Sequence, residues 1–243
     1  MMDSPGFEIL YEDNHMMGVV KPCGILSQGN GEADEDMLTM IASYIKIRDQ
    51  KPGNVFVGLV HRLDRNVGGT MVFAKTSKGA SRLSESMRNG QFDKGYFALT
   101  KTPLSQPGGV LVHSLWKDPR QNQVFERPEG KLSKLGYRFI GQAGGYYLYY
   151  AVPITGRTHQ IRAQFAFTGS PLVGDSKYGQ ASSGKGLPIG LWSGVVSVPH
   201  PVRRDERILL TSVPTGEPWC LHPDILPLIR SFVEKGDFRW NLN

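Results

Sequence analysis

Eight short apolar runs, each bounded by turn-forming residues, constrain this chain more than any other feature. They are FEILYE, HMMGVVK, VFVGLV, TMVFAK, YFALTK, YRFIGQ, YYLYYAVPI and RILLTSV. Their length and their β-branched and aromatic content suit strands. Several follow one another with no helix between, and long alternating strand–helix units are missing. That pattern excludes a doubly wound parallel fold. It points to an α+β fold with a mixed, mostly antiparallel β-sheet core and flanking helices.

Helices are fewer. The first follows the acidic stretch Asp34–Asp36, and Met37, Leu38, Ile41, Ala42 and Ile45 share one face. The second spans about Ser77–Asn89, with Ala80, Leu83 and Met87 on one side and Gly90 as a stop. A third is short, near Thr158–Thr168, ending at Gly169. The last covers about Asp224–Glu234 with an apolar stripe of Ile225, Leu228, Ile229, Phe232 and Val233, and Pro227 fits its first turn. Gly179–Gly190 reads as a flexible loop. No linker or repeat divides the 243 residues, so 1–243 is expected to form a single domain of two packed halves.

Composition narrows the classes of function. The net charge of +6 favours a polyanionic partner such as nucleic acid. Two cysteines without paired spacing argue against a disulfide framework or a cysteine metal site, and they fit a reduced, cytoplasmic location. The N-terminus lacks the features of a secretory signal, and no apolar run approaches the ~20 residues of a membrane span. The histidines are dispersed, so no metal site is expected.

Three segments carry potential chemistry. In VFVGLVHRLDRNVGGTMVFAK two apolar runs flank a loop in which Asp64 lies between Arg62 and Arg65 and is followed by Gly68 and Gly69. Catalytic groups favour loops held by a rigid sheet, although a turn aspartate with solvated arginines would look the same. In PITGRTHQIRAQFAFTGSPLVGDSKYG, Arg162 stands three residues after His159, on one face if both are helical, and the later glycines mark turns. Read alone, that spacing also suits a surface ion-pair helix. In DKGYFALTK, Tyr96 sits in an expected strand, where a tyrosine is commonly a core or sheet residue.

Taken together these segments resemble the RluA-type pseudouridine synthases, which isomerise uridines in ribosomal and transfer RNA. The likeness is carried by the Lys-Pro-x-Gly turn at Lys21–Gly24, HRLD at 61–64, AKT at 74–76, KGY at 94–96, TGRTHQIR at 155–162 and GSPLVGDSKYG at 169–179. It extends over about residues 7–180, and HP at 200–201 continues it toward the last strands. Six motifs in order form a far more specific signal than any one of them.

The resemblance implies a pseudouridine synthase-like fold with an active-site cleft across the sheet. It makes Asp64 the catalytic carboxylate. Such a group can attack the sugar, stabilise positive charge on it, or take a proton from carbon 2′, and the sequence leaves these routes open. Arg162 is implied as its cationic partner. Tyr96 is implied to stack on the uracil and to assist removal of the carbon 5 proton. The uridine must leave its stack, and Arg62 is the candidate to fill the gap or hold a phosphate. Ile161 is expected under the base pocket, and His61 is expected to shape the loop at the substrate site. Lys21 and Arg157 are candidates for the RNA backbone, with solvation as the alternative. The isomerisation is redox-neutral, so no cofactor or metal is called for.

Partner and context follow from the same resemblance. The expected partner is a stem-loop of rRNA or tRNA, met by a monomer away from membranes. With the match starting near residue 7, a separate N-terminal S4-like RNA-binding domain is not expected. There are departures: Val67 and Gly68 stand where Thr-Ser is usual, Gln164 where histidine is common, and Leu191, Trp192 and Ser193 for Leu-His-Ala. These bear on substrate choice. Two rival readings are a catalytically inactive RNA-binding or RNA-chaperone protein on the same fold and, more remotely, a base-excising enzyme. Free uracil as a product would mark the latter.

Overall fold

The structure is a computed structural model that describes residues 5–29, 31, 34–179 and 188–238. In chain order the elements begin with β1 (Glu8–Glu12), β2 (Met16–Lys21), α1 (Met37–Arg48), β3 (Gly58–Leu59), β4 (Gly68–Ala74) and α2 (Ser77–Arg88). Next come β5 (Asp93–Thr100), β6 (Gly108–Asp118), β7 (Gln123–Glu126), β8 (Lys131–Ala143) and β9 (Tyr146–Pro153). The chain continues with α3 (Gln160–Phe167), β10 (Leu191–Pro199), β11 (Arg207–Thr211) and α4 (Ile225–Lys235). The flexible loop expected at Gly179–Gly190 falls largely on 180–187, outside the described residues.

The chain separates into two compact units. One comprises Met1–Lys94 with Ser193–Ser212, the other Gly95–Trp192 with Val213–Asn243. In the first, the strand order is β1-β2-β4-β10-β11, with β3 also on β4. In the second it is β5-β9-β8-β6-β7. The ladders β1–β2, β2–β4, β3–β4 and β10–β11 of the first unit, and all four of the second, are antiparallel. The expected α+β class, with a mostly antiparallel sheet and flanking helices, is what the chain adopts.

Local chemistry explains the helices. The Asp36 carboxylate caps α1 by accepting from the Leu38 and Thr39 amides. Met37, Ile41 and Ile45 then face inward, with Leu38 and Ala42 half-buried beside them. Thr76 caps α2 through the Gly79 amide, and Leu83 anchors it in a core with Met16, Val72, Phe92, Val196, Val198, Ile208 and Leu210. Burying a leucine of this kind stabilises by roughly 1.5–3 kcal/mol. Helix α4 ends at Gly236 in the left-handed region (φ 66°), and its Phe232 packs on Phe97 and Tyr150.

Three strands were not anticipated, namely β6, β7 and β10, and β8 is longer than YRFIGQ. The run VFVGLV, by contrast, pairs only over Gly58–Leu59. No helix among the described residues is long and apolar enough to cross a membrane.

Candidate active site

In the first unit β3 feeds the HRLD loop and β4 leaves it. Lys21, at the end of β2, stands opposite Gly69 at the start of β4, so the Lys-Pro-x-Gly turn and the HRLD loop share one end of the sheet. Two apolar side chains, Leu63 and Val67, are buried and pin the loop from inside. Between them the Val67 amide closes a turn onto the Asp64 carbonyl at 3.0 Å. Asp64 is thereby held half-buried, with Arg62 and Arg65 exposed on either side.

Residues distant in sequence brace this turn. The Ser27 hydroxyl accepts from the Leu63 amide at 3.0 Å and donates to the Leu63 carbonyl at 2.9 Å. The Gly24 amide donates to the Arg65 carbonyl, and Arg65 Nε returns a bond to the Gly24 carbonyl, both at 2.9 Å. The Arg65 guanidinium then reaches the Asp34 carboxylate at 3.0 and 3.2 Å.

Lys21 completes the brace, and here the sequence expectation is corrected. Its side chain is fully buried, and its ammonium donates to the carbonyls of Pro22 (2.9 Å), Ile25 (2.6 Å) and Arg65 (3.1 Å). All three donors are used, so none is offered to an RNA phosphate. Burial lowers its pKa to about 8, while Cys23 and the Asp64 carboxylate act in the opposite direction. Lys21 thus supports the loop mechanically and adds a positive charge to the field at Asp64.

His61 also faces inward rather than toward a substrate. Its Nε2 accepts from the Val72 amide at 3.0 Å, and burial pushes its pKa down to about 3, so the ring is neutral. The proton must then sit on Nδ1, a buried atom with no partner among the described residues. His61 is thus bonded to β4 from the interior and is no surface contact. Arg62 is exposed, and its side chain has no partner among the described residues.

The second unit holds the other candidates. Tyr96 is buried in β5, opposite Ala151. Its neighbour Gly95 lies where any Cβ would come within 1.9 Å of the Tyr150 hydroxyl, which explains the small residue in KGY. Helix α3 is buried on every side from Gln160 to Phe165, Ile161 included. His159 is not part of it. It is the N-cap, in the left-handed region (φ 49°), and its Nδ1 meets the Tyr178 hydroxyl at 2.8 Å. Gln160 draws the preceding loop together, accepting from the Arg157 amide and the Thr155 hydroxyl and donating to the Lys134 carbonyl. The Arg157 side chain stays exposed.

Arg162 has a partner that sequence reasoning missed. Its Nε and Nη2 bind the two oxygens of Asp175 at 2.8 and 2.9 Å, and its guanidinium lies 5.3 Å from the centre of the Tyr178 ring. Asp175 is fully buried and also accepts from the Lys177 and Tyr178 amides. A buried guanidinium requires such a carboxylate. The signal was the aspartate in GDSKYG, a segment from which only the glycines were read. The bidentate grip fixes the plane of the guanidinium.

The departures from the resembled pattern lie inside the protein. Gln164 donates to the Leu111 and Ser133 carbonyls, and Ser193 to the Thr70 carbonyl. Gln164, Trp192 and Ser193 are all buried, so the expected bearing on substrate choice does not apply through direct contact. Among the described residues no group of His, Cys, Asp and Glu could hold a metal ion.

Comparison with known proteins agrees with this organisation. Residues 15–167 match the family described as RNA pseudouridylate synthase. The chain is 32% identical over 171 residues to ribosomal large subunit pseudouridine synthase C of Vibrio parahaemolyticus, covering 70% of this chain and 52% of that protein. It is 29% identical over 180 residues to ribosomal large subunit pseudouridine synthase D of Borreliella burgdorferi, covering 71% and 54%. The chain thus spans about half the length of these curated relatives. Among solved structures, human RNA pseudouridylate synthase domain containing 4 shares the fold, with a TM-score of 0.71, 21% identity and coverage of 92% of this chain and 93% of that one.

Proposed function

We propose that this chain, which belongs to the RNA pseudouridylate synthase family, isomerises uridine to pseudouridine in ribosomal RNA. The observation that carries the reading is Asp64. It is a carboxylate held half-buried on a loop that three separate braces fix at the end of a sheet. Preorganisation of this kind is what a group reacting at a sugar carbon requires.

In this reading Asp64 acts on the ribose while the glycosidic bond breaks. The freed uracil turns and rejoins through carbon 5, whose proton leaves. Tyr96 supplies the ring against the base and Arg162, oriented by Asp175, the cation that keeps the catalytic carboxylate ionised. The uridine is flipped out of its stack, and Arg62 and Arg157 meet the RNA backbone. The isomerisation transfers no electrons between molecules and asks for no cofactor. In this reading 1–243 functions as one catalytic domain. The names of the relatives favour large-subunit rRNA over tRNA, and a hairpin presented to a monomer in the cytoplasm fits that choice.

The test uses rRNA and tRNA transcripts labelled with tritium at uracil carbon 5. Wild type should release tritium and Asp64→Asn should release none. RNA binding without release from any transcript would overturn the reading in favour of a non-catalytic RNA-binding protein.

A further inference from the structure

The HP motif at 200–201 has no part in the chemistry above. His200 is buried, and its Nδ1 accepts from the Val202 and Arg203 amides at 3.1 and 2.8 Å. The ring proton is therefore on Nε2, which donates to the Asp13 carboxylate at 2.5 Å. These bonds lock the loop after β10 and make it one wall of a polar recess of about 270 Å³ in the first unit. The opposite wall is the second half of α2 and the residues after it.

Arg82, Glu85, Asn89, Gln91, Pro201 and Arg204 line the recess. Arg82 Nη1 donates to the Pro201 carbonyl at 2.9 Å, which ties the two walls and fixes that guanidinium. The side chains of Glu85, Asn89, Gln91 and Arg204 have no partner among the described residues. The last carbonyls of α2 are already taken by the Asn89, Gly90 and Gln91 amides. The recess therefore presents unused side-chain donors and acceptors, with two guanidiniums set against amide and carboxylate groups.

We propose that this recess binds one unpaired nucleotide of the substrate RNA, outside the catalytic loop. Arg82 and Arg204 hold its phosphate, because guanidinium matches phosphate geometry. Glu85, Asn89 and Gln91 meet the hydrogen-bonding edge of its base, the edge by which single-stranded RNA is read. The volume lies near the lower bound of about 300 Å³ for ligand pockets, which suits one nucleotide and excludes a duplex. The inference rests on the synthase reading for the identity of the RNA, but not for the binding itself.

The probe is a short fluorescein-labelled single-stranded RNA of mixed sequence, read by anisotropy with a duplex of the same sequence as comparison. Arg204→Glu, an exposed change that leaves the fold intact, should weaken single-strand binding about tenfold and reduce the salt slope by about one unit. Arg82→Gln, which removes the charge at that position, should weaken it similarly. Arg230→Glu, an exposed reversal on α4, should have little effect. Equal losses from Arg204→Glu and Arg230→Glu, unchanged affinity for both recess variants, or equal binding of the duplex would each overturn the proposal. Tritium release by wild type with unaltered KM and binding in Arg204→Glu would sink the recess and leave the synthase reading standing. Arginine-dependent single-strand binding without release from any transcript would do the reverse.

Discussion

An ammonium group taken out of water is tolerated only if its hydrogens all find acceptors, and Lys21 meets that condition with three backbone carbonyls. Lys21→Met removes the donors and leaves the carbonyls behind. It should cost about 3 kcal/mol in urea unfolding. Turnover should fall more than RNA affinity, because the amine does not meet RNA. His61 gives a second test. Its ring titrates near 6.5 when unfolded but only at about 3 when folded. Between those values the unfolded chain binds a proton that the folded chain refuses. Stability therefore rises with pH across the window and is lost as pH falls from 6.5 toward 3. Denaturation at several pH values should show this slope, and His61→Gln, which can still accept from Val72, should flatten it. Asp64 and Arg162 stand out in the sequence because each sits in a local motif. Lys21 was misread because lysines are rarely buried. Asp175 was missed because nothing in the spacing announces its pairing with Arg162.

At the level of elements, legibility followed amphipathicity. Helices α1, α2 and α4 announce themselves by caps and a one-sided apolar stripe, whereas α3 is buried all round and was located by its motif alone. Strand β6 was missed because its exposed residues Val110 and Val112 are as apolar as Leu111 between them, which blurs the alternation. Strand β10 was missed because Ser193 and Gly194 interrupt its apolar run. Those small residues fit the entry of β4. Gly69 has φ 122°, and a Cβ there would come within 2.3 Å of the Ser193 carbonyl oxygen and 2.6 Å of its nitrogen. Because backbone on both sides would have to move, Gly69→Ala should destabilise by about 3 kcal/mol or more. It should also suppress tritium release by displacing the end of the HRLD loop. A variant of wild-type stability would refute this account of the Gly69–Ser193 contact.

At the scale of the whole molecule, class and sheet type followed from the spacing of apolar runs, but the division of the chain did not. The first unit is assembled from 1–94 and 193–212, with the second unit's main segment inserted between. Its core shows why no composition shift marks the boundary, since Val196, Val198, Ile208 and Leu210 pack beside Met16, Val72 and Leu83. A chain cut after Trp192 should therefore lack cooperative unfolding of the first unit, and calorimetry of that fragment against the full chain would test it. The discontinuity also governs how the protein is made. During translation Asp64 leaves the ribosome ahead of the inserted segment, but the strands that complete its unit leave only after that segment has emerged. Folding from the N-terminus cannot finish the first unit in order. The HRLD loop gains its rigid base only then, so a nascent chain exposes Asp64 before the sheet that holds it is complete.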